Sequence, residues 1–247
     1  MSAKLKVFQR VPRSVIGFRP EFLDFKRGIR VGNLEDNERI TRLLKLELEY
    51  RYQQDFVTER WGRGVYWIWI GLLPRANRSA MPISSNVSFG CSKYFIMVDS
   101  DERLFKCGLQ IERGYIKAPK ENRSCELRAD WDWNRLLAAL RPGSLMEREI
   151  KRLVAREGFT LHAGGWEAGA KDYTRASLPG IAAIRRILAN APSGGWAGFQ
   201  LYYPMKEQEV QSSSGVDLVE SMLAVFNEVT PVMNLCMNIQ LPMHESP

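Results

Sequence analysis

The sequence is poor in histidine and has no closely spaced cysteines. Its 247 residues include two histidines, His162 and His244, which is too few for catalysis or metal binding that relies on several imidazoles. The four cysteines lack the spacing of a zinc or redox motif, and no charged-then-apolar leader opens the chain. We therefore expect a cytoplasmic protein with reduced thiols and without a metal or cofactor. Those thiols are Cys91, Cys107, Cys125 and Cys236.

Long apolar runs and phosphate-binding motifs are also missing. The longest apolar run, 65–73, is about the length of a strand, whereas a membrane-spanning helix needs roughly 20 residues. We therefore expect a soluble protein that does not enter a membrane. Gly62 and Gly64 precede a predicted strand instead of following one, and no glycine pair leads into a dinucleotide or P-loop motif. No nucleotide cofactor is predicted.

The sequence has an excess of basic over acidic residues. The formal net charge is +7, and basic residues predominate near the start of the chain. This charge favours acidic partners, among which nucleic acid is the leading class. Apolar residues such as Val7, Val11 and Phe18 interrupt the basic stretch, so we expect a basic arm that lies on the body of the protein. The early basic residues are Lys4, Lys6, Arg10, Arg13, Arg19, Lys26, Arg27 and Arg30.

Residues 92–115 have the pattern of a β-hairpin. The run 94–98 is apolar, and 99–102 has the short acidic side chains that favour a turn. Beyond the turn, apolar and polar residues alternate, so they should point to opposite faces of the strand. We expect the apolar face to be buried and the other to be at least partly wet. Phe105, Cys107, Leu109 and Ile111 alternate with Lys106, Gly108, Gln110 and Glu112.

The other elements indicate an α+β fold with a largely antiparallel central sheet. A long helix is predicted over 34–60 after the basic arm, followed by strands at 65–73 and 86–90. Helices interleaved with single strands follow, and this order favours a sheet covered by helices. We expect one compact domain over 1–247, with 114–124 as the candidate sub-boundary. A C-terminal helix should dock on the sheet through Val219, Met222, Leu223 and Phe226.

Aromatic residues alternate with arginines in the segment 61–78. Flat rings can stack on bases and guanidinium groups can bind phosphates, as a reader of single-stranded nucleic acid requires. However, strand alternation puts Trp67 and Trp69 on one face and Tyr66 on the other, so one of these sets should belong to the core. The candidate binding residues are Arg10, Arg13, Arg63, Trp67, Trp69, Arg75 and Arg78.

Acidic residues supply an enzymatic alternative. Asp99, Glu112 and Lys117 loosely resemble the acid, acid and lysine of Mg²⁺-dependent nucleases. The resemblance implies a phosphodiesterase, but those enzymes place the lysine two residues after the second acid, where this chain has Gly114. Three functions stay open: a binding module for an acidic ligand or nucleic acid, a Mg²⁺-dependent phosphodiesterase, and a structural or interaction protein without a catalytic site.

Overall fold

The computed structural model describes residues 10–79, 90–114, 131–167 and 169–243. The candidate sub-boundary beyond Gly114, the predicted strand residues 86–89, Lys117 and Cys125 lie outside these ranges. The strands are β1 (Leu23–Asp24), β2 (Gly28–Arg30), β3 (Phe56–Arg63), β4 (Tyr66–Pro74), β5 (Lys93–Asp99), β6 (Leu104–Arg113), β7 (Thr160–Gly165), β8 (Lys171–Tyr173) and β9 (Ala197–Lys206). The helices are α1 (Ile40–Tyr52), α2 (Arg75–Ser79), α3 (Asp132–Ala139), α4 (Leu145–Ala155), α5 (Ile181–Ala189), α6 (Glu207–Ser212) and α7 (Gly215–Cys236).

The nine strands form one antiparallel sheet, which confirms the predicted fold class. Its order is β1-β2-β4-β5-β6-β9-β7-β8, and β3 pairs with β4. The predicted hairpin is β5 and β6, and its turn depends on Asp99. The Oδ1 atom of Asp99 accepts hydrogen bonds from the backbone N–H groups of Asp101 at 3.1 Å and Glu102 at 3.0 Å. The short acidic side chain therefore closes the turn as its chemistry predicts.

The N-terminal helix is shorter than the predicted range 34–60, because it begins only at Ile40 and the end of that range is a strand. Helix α1 stops at Tyr52, and Gln53 adopts a left-handed conformation with φ 52°. Glu49 Oε1 then accepts a hydrogen bond from the N–H of Phe56 at 3.0 Å, where β3 begins. Strand β3 pairs with β4 over its whole length. These long-range hydrogen bonds override the helical pattern of the segment.

Two prolines lie inside regular elements, although proline usually ends a strand or a helix. Strand β9 continues through Pro204 to Lys206. It pairs with β7 only as far as Tyr202, so at Pro204 no hydrogen bond to β7 is lost for lack of an N–H. Helix α7 likewise continues through Pro231 to Cys236.

Helices cover one face of the sheet and form the main core with it. Tyr94, Leu109 and other apolar residues of β5 and β6 point toward α7 and are fully buried. The Phe226 ring of α7 stacks on Tyr94 with centroids 4.6 Å apart. The predicted docking of α7 is confirmed by the burial of Val219, Met222, Leu223 and Phe226. None of the described helices has the length and hydropathy to cross a membrane.

The opposite face of β5 and β6 is also buried, so the expectation of a partly wet face is wrong. Gln110 and Glu112 are each 2% exposed, and Lys106 is also buried. Aspartate often caps the start of a helix, but Asp132 is the first residue of α3 and is fully buried. Its carboxylate accepts hydrogen bonds from Asn77 and from the backbone of Ser92. The Asp132 carboxylate therefore bonds residues of other elements instead of capping its own helix.

Candidate functional site

An exposed cluster of arginines and aromatic rings lies where β2, β3 and β4 meet. Tyr66 of β4 is directly opposite Arg30 of β2 on one side and Arg63 of β3 on the other. Cross-strand partners share a face of the sheet, so these side chains form one row. The guanidinium carbon of Arg27 lies 4.3 Å from the centre of the Tyr66 ring. We call Arg27, Arg30, Trp61, Arg63 and Tyr66 the arginine–aromatic surface.

Trp61 contributes the largest exposed ring of this surface. It lies two residues before Arg63 on β3, so both side chains project from the same face. The side chain of Trp61 is 71% exposed, whereas tryptophans are highly buried on average. An exposed indole beside arginines provides a flat stacking surface within a positively charged environment.

One carboxylate partly offsets the positive charge of the arginine–aromatic surface. Arg27 forms an ion pair with Asp24, with 2.6 Å between Nε and Oδ2. Burial of Asp24 would raise its pKa, but hydrogen bonds from Lys26 and Arg27 hold that pKa below its usual value. Among the described residues, Asp24 is the carboxylate that pairs with this surface, because Arg30 bonds the Asn33 carbonyl and Arg63 is exposed. The surface therefore has a net positive charge.

A β-bulge separates the two tryptophans that were predicted to share a face. Trp61 is opposite Trp69 but Gly62 is opposite Trp67, so Ile68 is an extra residue in β4. Trp67 consequently packs against the main core on the helical face. Trp69 lies on the other face, 7% exposed, and its indole N–H donates to Gln110 Oε1 at 2.9 Å. The prediction that alternation holds through 66–70 is wrong, and Trp69 is too buried to stack on a base.

The basic arm contacts the body of the protein through Arg10 and Arg13. Arg10 Nε lies 3.7 Å from Glu47 Oε2, and Arg13 pairs with Glu220. The N–H of Val11 also donates to Glu47 Oε1 at 2.8 Å. From residue 10 onward, the arm therefore lies on the body as expected.

Arg75 and Arg78 lie at the other end of β4. Arg75 Nε is 3.7 Å from Asp55, and Arg78 Nε is 3.9 Å from Glu59. Their helix starts after Pro74, eight residues along the strand from Tyr66, or roughly 26 Å at the usual rise of a strand. Of the seven predicted binding residues, Arg63 is the one that belongs to the arginine–aromatic surface. Whether Arg10, Arg13, Arg75 and Arg78 bind a ligand stays a prediction.

The structure does not bring together the carboxylates of the nuclease alternative. Asp99 is opposite Leu104, and Glu112 lies eight residues further along β6, which is roughly 26 Å of strand. Asp99 also accepts a hydrogen bond from Lys106 Nζ at 2.9 Å, in addition to those of its turn. Within the described ranges, no group of three or more His, Cys, Asp or Glu side chains could hold a metal ion.

A buried lysine is the centre of the polar face. Lys93 is fully buried, and its Nζ donates to Glu112 Oε1 at 2.5 Å and to Glu59 Oε2 at 3.0 Å. Burial alone would lower the pKa of Lys93, but the two carboxylates raise it above its usual value. Lys93 therefore stays a charged ammonium group, which cannot act as a nucleophile.

A row of polar side chains continues from Lys93 across the sheet. Gln200 donates to Gln110 Oε1 at 2.7 Å, and Gln110 in turn donates to Glu112. His162 lies opposite Gln200, and its Nδ1 is 2.7 Å from Asp172 Oδ1. His162 is therefore a hydrogen-bonded strand residue. Because each member of the row bonds a neighbouring side chain, we interpret the row as structural.

The described cysteines do not supply a nucleophile. Cys91, Cys107 and Cys236 are all buried. Burial raises the pKa of Cys91 to about 12, and it also raises the pKa of each of the other two. The reactive thiolate form is therefore scarce at neutral pH.

Comparison with known proteins adds no family. No family model matches the chain, and no curated protein matches it.

Proposed function

We propose that the chain binds an acidic polymer, with single-stranded nucleic acid as the most suitable class, through the arginine–aromatic surface. The observation that carries the proposal is the row in which Arg30 and Arg63 lie on either side of Tyr66, beside the exposed ring of Trp61. Guanidinium groups bind phosphates through two parallel N–H donors. Aromatic rings stack on unpaired bases irrespective of sequence.

The arrangement favours single strands over duplexes. The bases of a duplex are stacked on one another, so an exposed indole gains little from them, whereas a single strand offers each base for stacking. Arg27 is already held against Tyr66 and bonded to Asp24, so less conformational entropy is lost when it contacts a phosphate. The net charge of +7 adds a long-range attraction that salt screens.

The test is fluorescence anisotropy with single- and double-stranded DNA and RNA at two salt concentrations. We expect single strands to bind more tightly, and the affinity to fall steeply with salt because counterions are released. Trp61→Ala should weaken binding roughly 5- to 150-fold, which corresponds to about 1–3 kcal/mol for one stacked base. Arg63→Ala should weaken binding and reduce the salt slope by about one unit.

Arg175→Ala is the matched control for Arg63→Ala. Arg175 is an exposed arginine in the turn after β8, at the opposite edge of the sheet, so its loss changes the net charge equally. Equal effects of the two substitutions would show that net charge, and not this surface, determines binding. Absence of binding to all four nucleic acids at low salt would remove the proposal, and stronger binding to duplexes would remove the preference for single strands.

A further inference from the structure

A cavity borders the arginine–aromatic surface at Asp24. It has a volume of about 440 Å³, which is within the range of pockets that hold small molecules. Its walls come from the short 3₁₀ helix Pro20–Phe22, from β1 and the turn after it, from the β5–β6 turn and from α6. Segments that are distant along the chain therefore enclose one space.

The side chain of Asp24 connects this cavity with the arginine–aromatic surface. Its Oδ2 atom lies 2.6 Å from Arg27 Nε, and the guanidinium carbon of Arg27 lies 4.3 Å from the centre of the Tyr66 ring. The terminal nitrogens of Arg27 form no hydrogen bond within the described residues, so they can bind a phosphate. A nucleotide whose phosphate contacts Arg27 therefore has its base within reach of the cavity.

Glu21 provides the available carboxylate of the cavity. Of the other two acidic residues in its lining, Asp24 is bonded to Arg27 and to two backbone N–H groups. Glu207 forms an ion pair with Arg103. Glu21 is exposed, and its carboxylate has no ion pair or hydrogen bond among the described residues. Both of its oxygen atoms can therefore accept hydrogen bonds from a ligand.

The cavity also contains an available cation and an apolar wall. Lys26 is exposed, and its ammonium group has no ion pair within the described part of the chain. Leu23 and Phe25 are each 3% exposed and contribute apolar surface. An unstacked base is held by apolar contact with its rings and by hydrogen bonds to its edges. The cavity has groups for both kinds of contact.

We propose that this cavity binds an unpaired guanine, with Glu21 accepting hydrogen bonds from its Watson–Crick edge. The inference rests on the proposed function, because the guanine belongs to the bound single strand. Guanine has two adjacent donors on that edge, N1–H and the N2 amino group, which match the two oxygens of one carboxylate as a guanidinium group does. Adenine, cytosine and thymine have no such pair of donors. The O6 and N7 atoms of guanine are acceptors for the ammonium group of Lys26.

The test is fluorescence anisotropy of the full chain with thymidine dodecamers in which one central base is guanine, adenine, cytosine or hypoxanthine. Hypoxanthine is guanine without its N2 amino group. We expect the guanine strand to bind about 5-fold more tightly than the others, the lower end of the discrimination by one bidentate contact. Glu21→Gln should abolish this preference, because an amide has one acceptor oxygen and its NH₂ group faces a guanine donor.

Glu157→Gln is the matched control, because Glu157 is exposed and does not line the cavity. It should retain the preference for guanine. The preference is a ratio of dissociation constants, so a general gain in affinity from the loss of one negative charge cancels.

Equal affinity for the guanine and adenine strands would overturn the inference and leave the proposed function intact. Equal affinity for guanine and hypoxanthine would also overturn it, as would a preference that persists in Glu21→Gln. If no oligonucleotide binds, the proposed function fails, and saturation-transfer NMR with guanosine and inosine monophosphates tests the cavity by itself. A stronger signal from guanosine monophosphate would support the guanine site, whereas equal signals or no signal would overturn it.

Discussion

The two faces of β5 and β6 are both largely buried, but the face away from the helices contains charged and amide side chains beside apolar ones such as Phe95. On the helical face, Tyr94, Cys107 and Leu109 are fully buried apolar or aromatic residues that pack against α7. On the other face, Lys93 and Glu112 are just as inaccessible, and they are ionised groups held by their partners. Apolar burial stabilises the fold in proportion to area. For buried charges, the attraction between the partners mainly offsets the free-energy cost of removing them from water.

The comparison implies different responses to substitution. On the apolar face, each side chain stabilises the fold by the volume that it fills. A second substitution therefore cannot easily restore the stability that a truncation removes. On the polar face, each group depends on its partners, so the loss of one is costly while the joint replacement of all can be nearly neutral.

Removal of the Lys93 ammonium group should destabilise the protein most. Lys93→Met keeps the length of the side chain but leaves Glu59 and Glu112 buried without their shared partner. We expect the free energy of unfolding to fall by about 5 kcal/mol, the upper part of the range for a broken buried ion pair. Urea unfolding followed by circular dichroism measures the change.

The control combines Lys93→Met with Glu59→Gln and Glu112→Gln. Because no uncompensated charge is then buried, the triple variant should recover most of the stability lost by Lys93→Met alone. If Lys93→Met lowers the free energy of unfolding by less than about 1 kcal/mol, the buried ion pairs of Lys93 stabilise the fold no more than exposed ion pairs do. A triple variant no more stable than the single one would contradict the idea that pairing determines stability on this face.

Truncation on the apolar face should be slightly less costly. Phe226→Ala removes the ring that stacks on Tyr94 and should reduce the free energy of unfolding by about 4 kcal/mol, which is typical of a buried phenylalanine. Phe226→Leu is the matched control, because it keeps most of the apolar volume and should cost much less. Little loss of stability with Phe226→Ala, together with loss of self-association, would show that α7 forms an interface instead.

The elements predicted correctly are those that local periodicity determines. The β5–β6 hairpin follows from a polar turn and from alternation in 105–111. The buried stripe of α7 follows from the helical spacing of Val219, Met222 and Phe226. Strand β3 was missed because its hydrogen bonds to β4 are made after a break at Gln53, which has no strong local signal. The bulge at Ile68 was missed because one additional residue reverses the alternation.

Only part of the candidate site could be predicted from the sequence. Trp61, Arg63 and Tyr66 are close along the chain and were recognised as aromatic residues alternating with arginine. Arg30 joins them only because β2 pairs with β4, which brings together residues 36 positions apart, namely Arg30 and Tyr66. The polar residues of β6 were visible as an alternating pattern, but their burial depends on partners contributed by other strands, such as Glu59 and Gln200.

The smallest expected effect lies where the polar row reaches the more exposed edge strand β8. Burial would raise the pKa of Asp172, but the hydrogen bond with His162 contributes to a net pKa below 3.8. A lowered folded-state pKa adds stability above the unfolded-state value, and this stability is lost as pH falls through the folded-state value. Asp172→Asn should therefore reduce stability at pH 6 by less than about 1 kcal/mol, since the pair is partly exposed.

The pH dependence separates this pair from a simple loss of packing. Urea midpoints of the wild-type protein and of Asp172→Asn should differ at pH 6 and converge as the pH falls below 3.8, because the wild-type carboxyl then becomes neutral as well. The exposed Asp101→Asn variant controls for a general change in net charge. A difference for Asp172→Asn that stays constant down to pH 3 would mean that the side chain acts through its shape. The edge of the polar face would then resemble the apolar face, where volume determines stability.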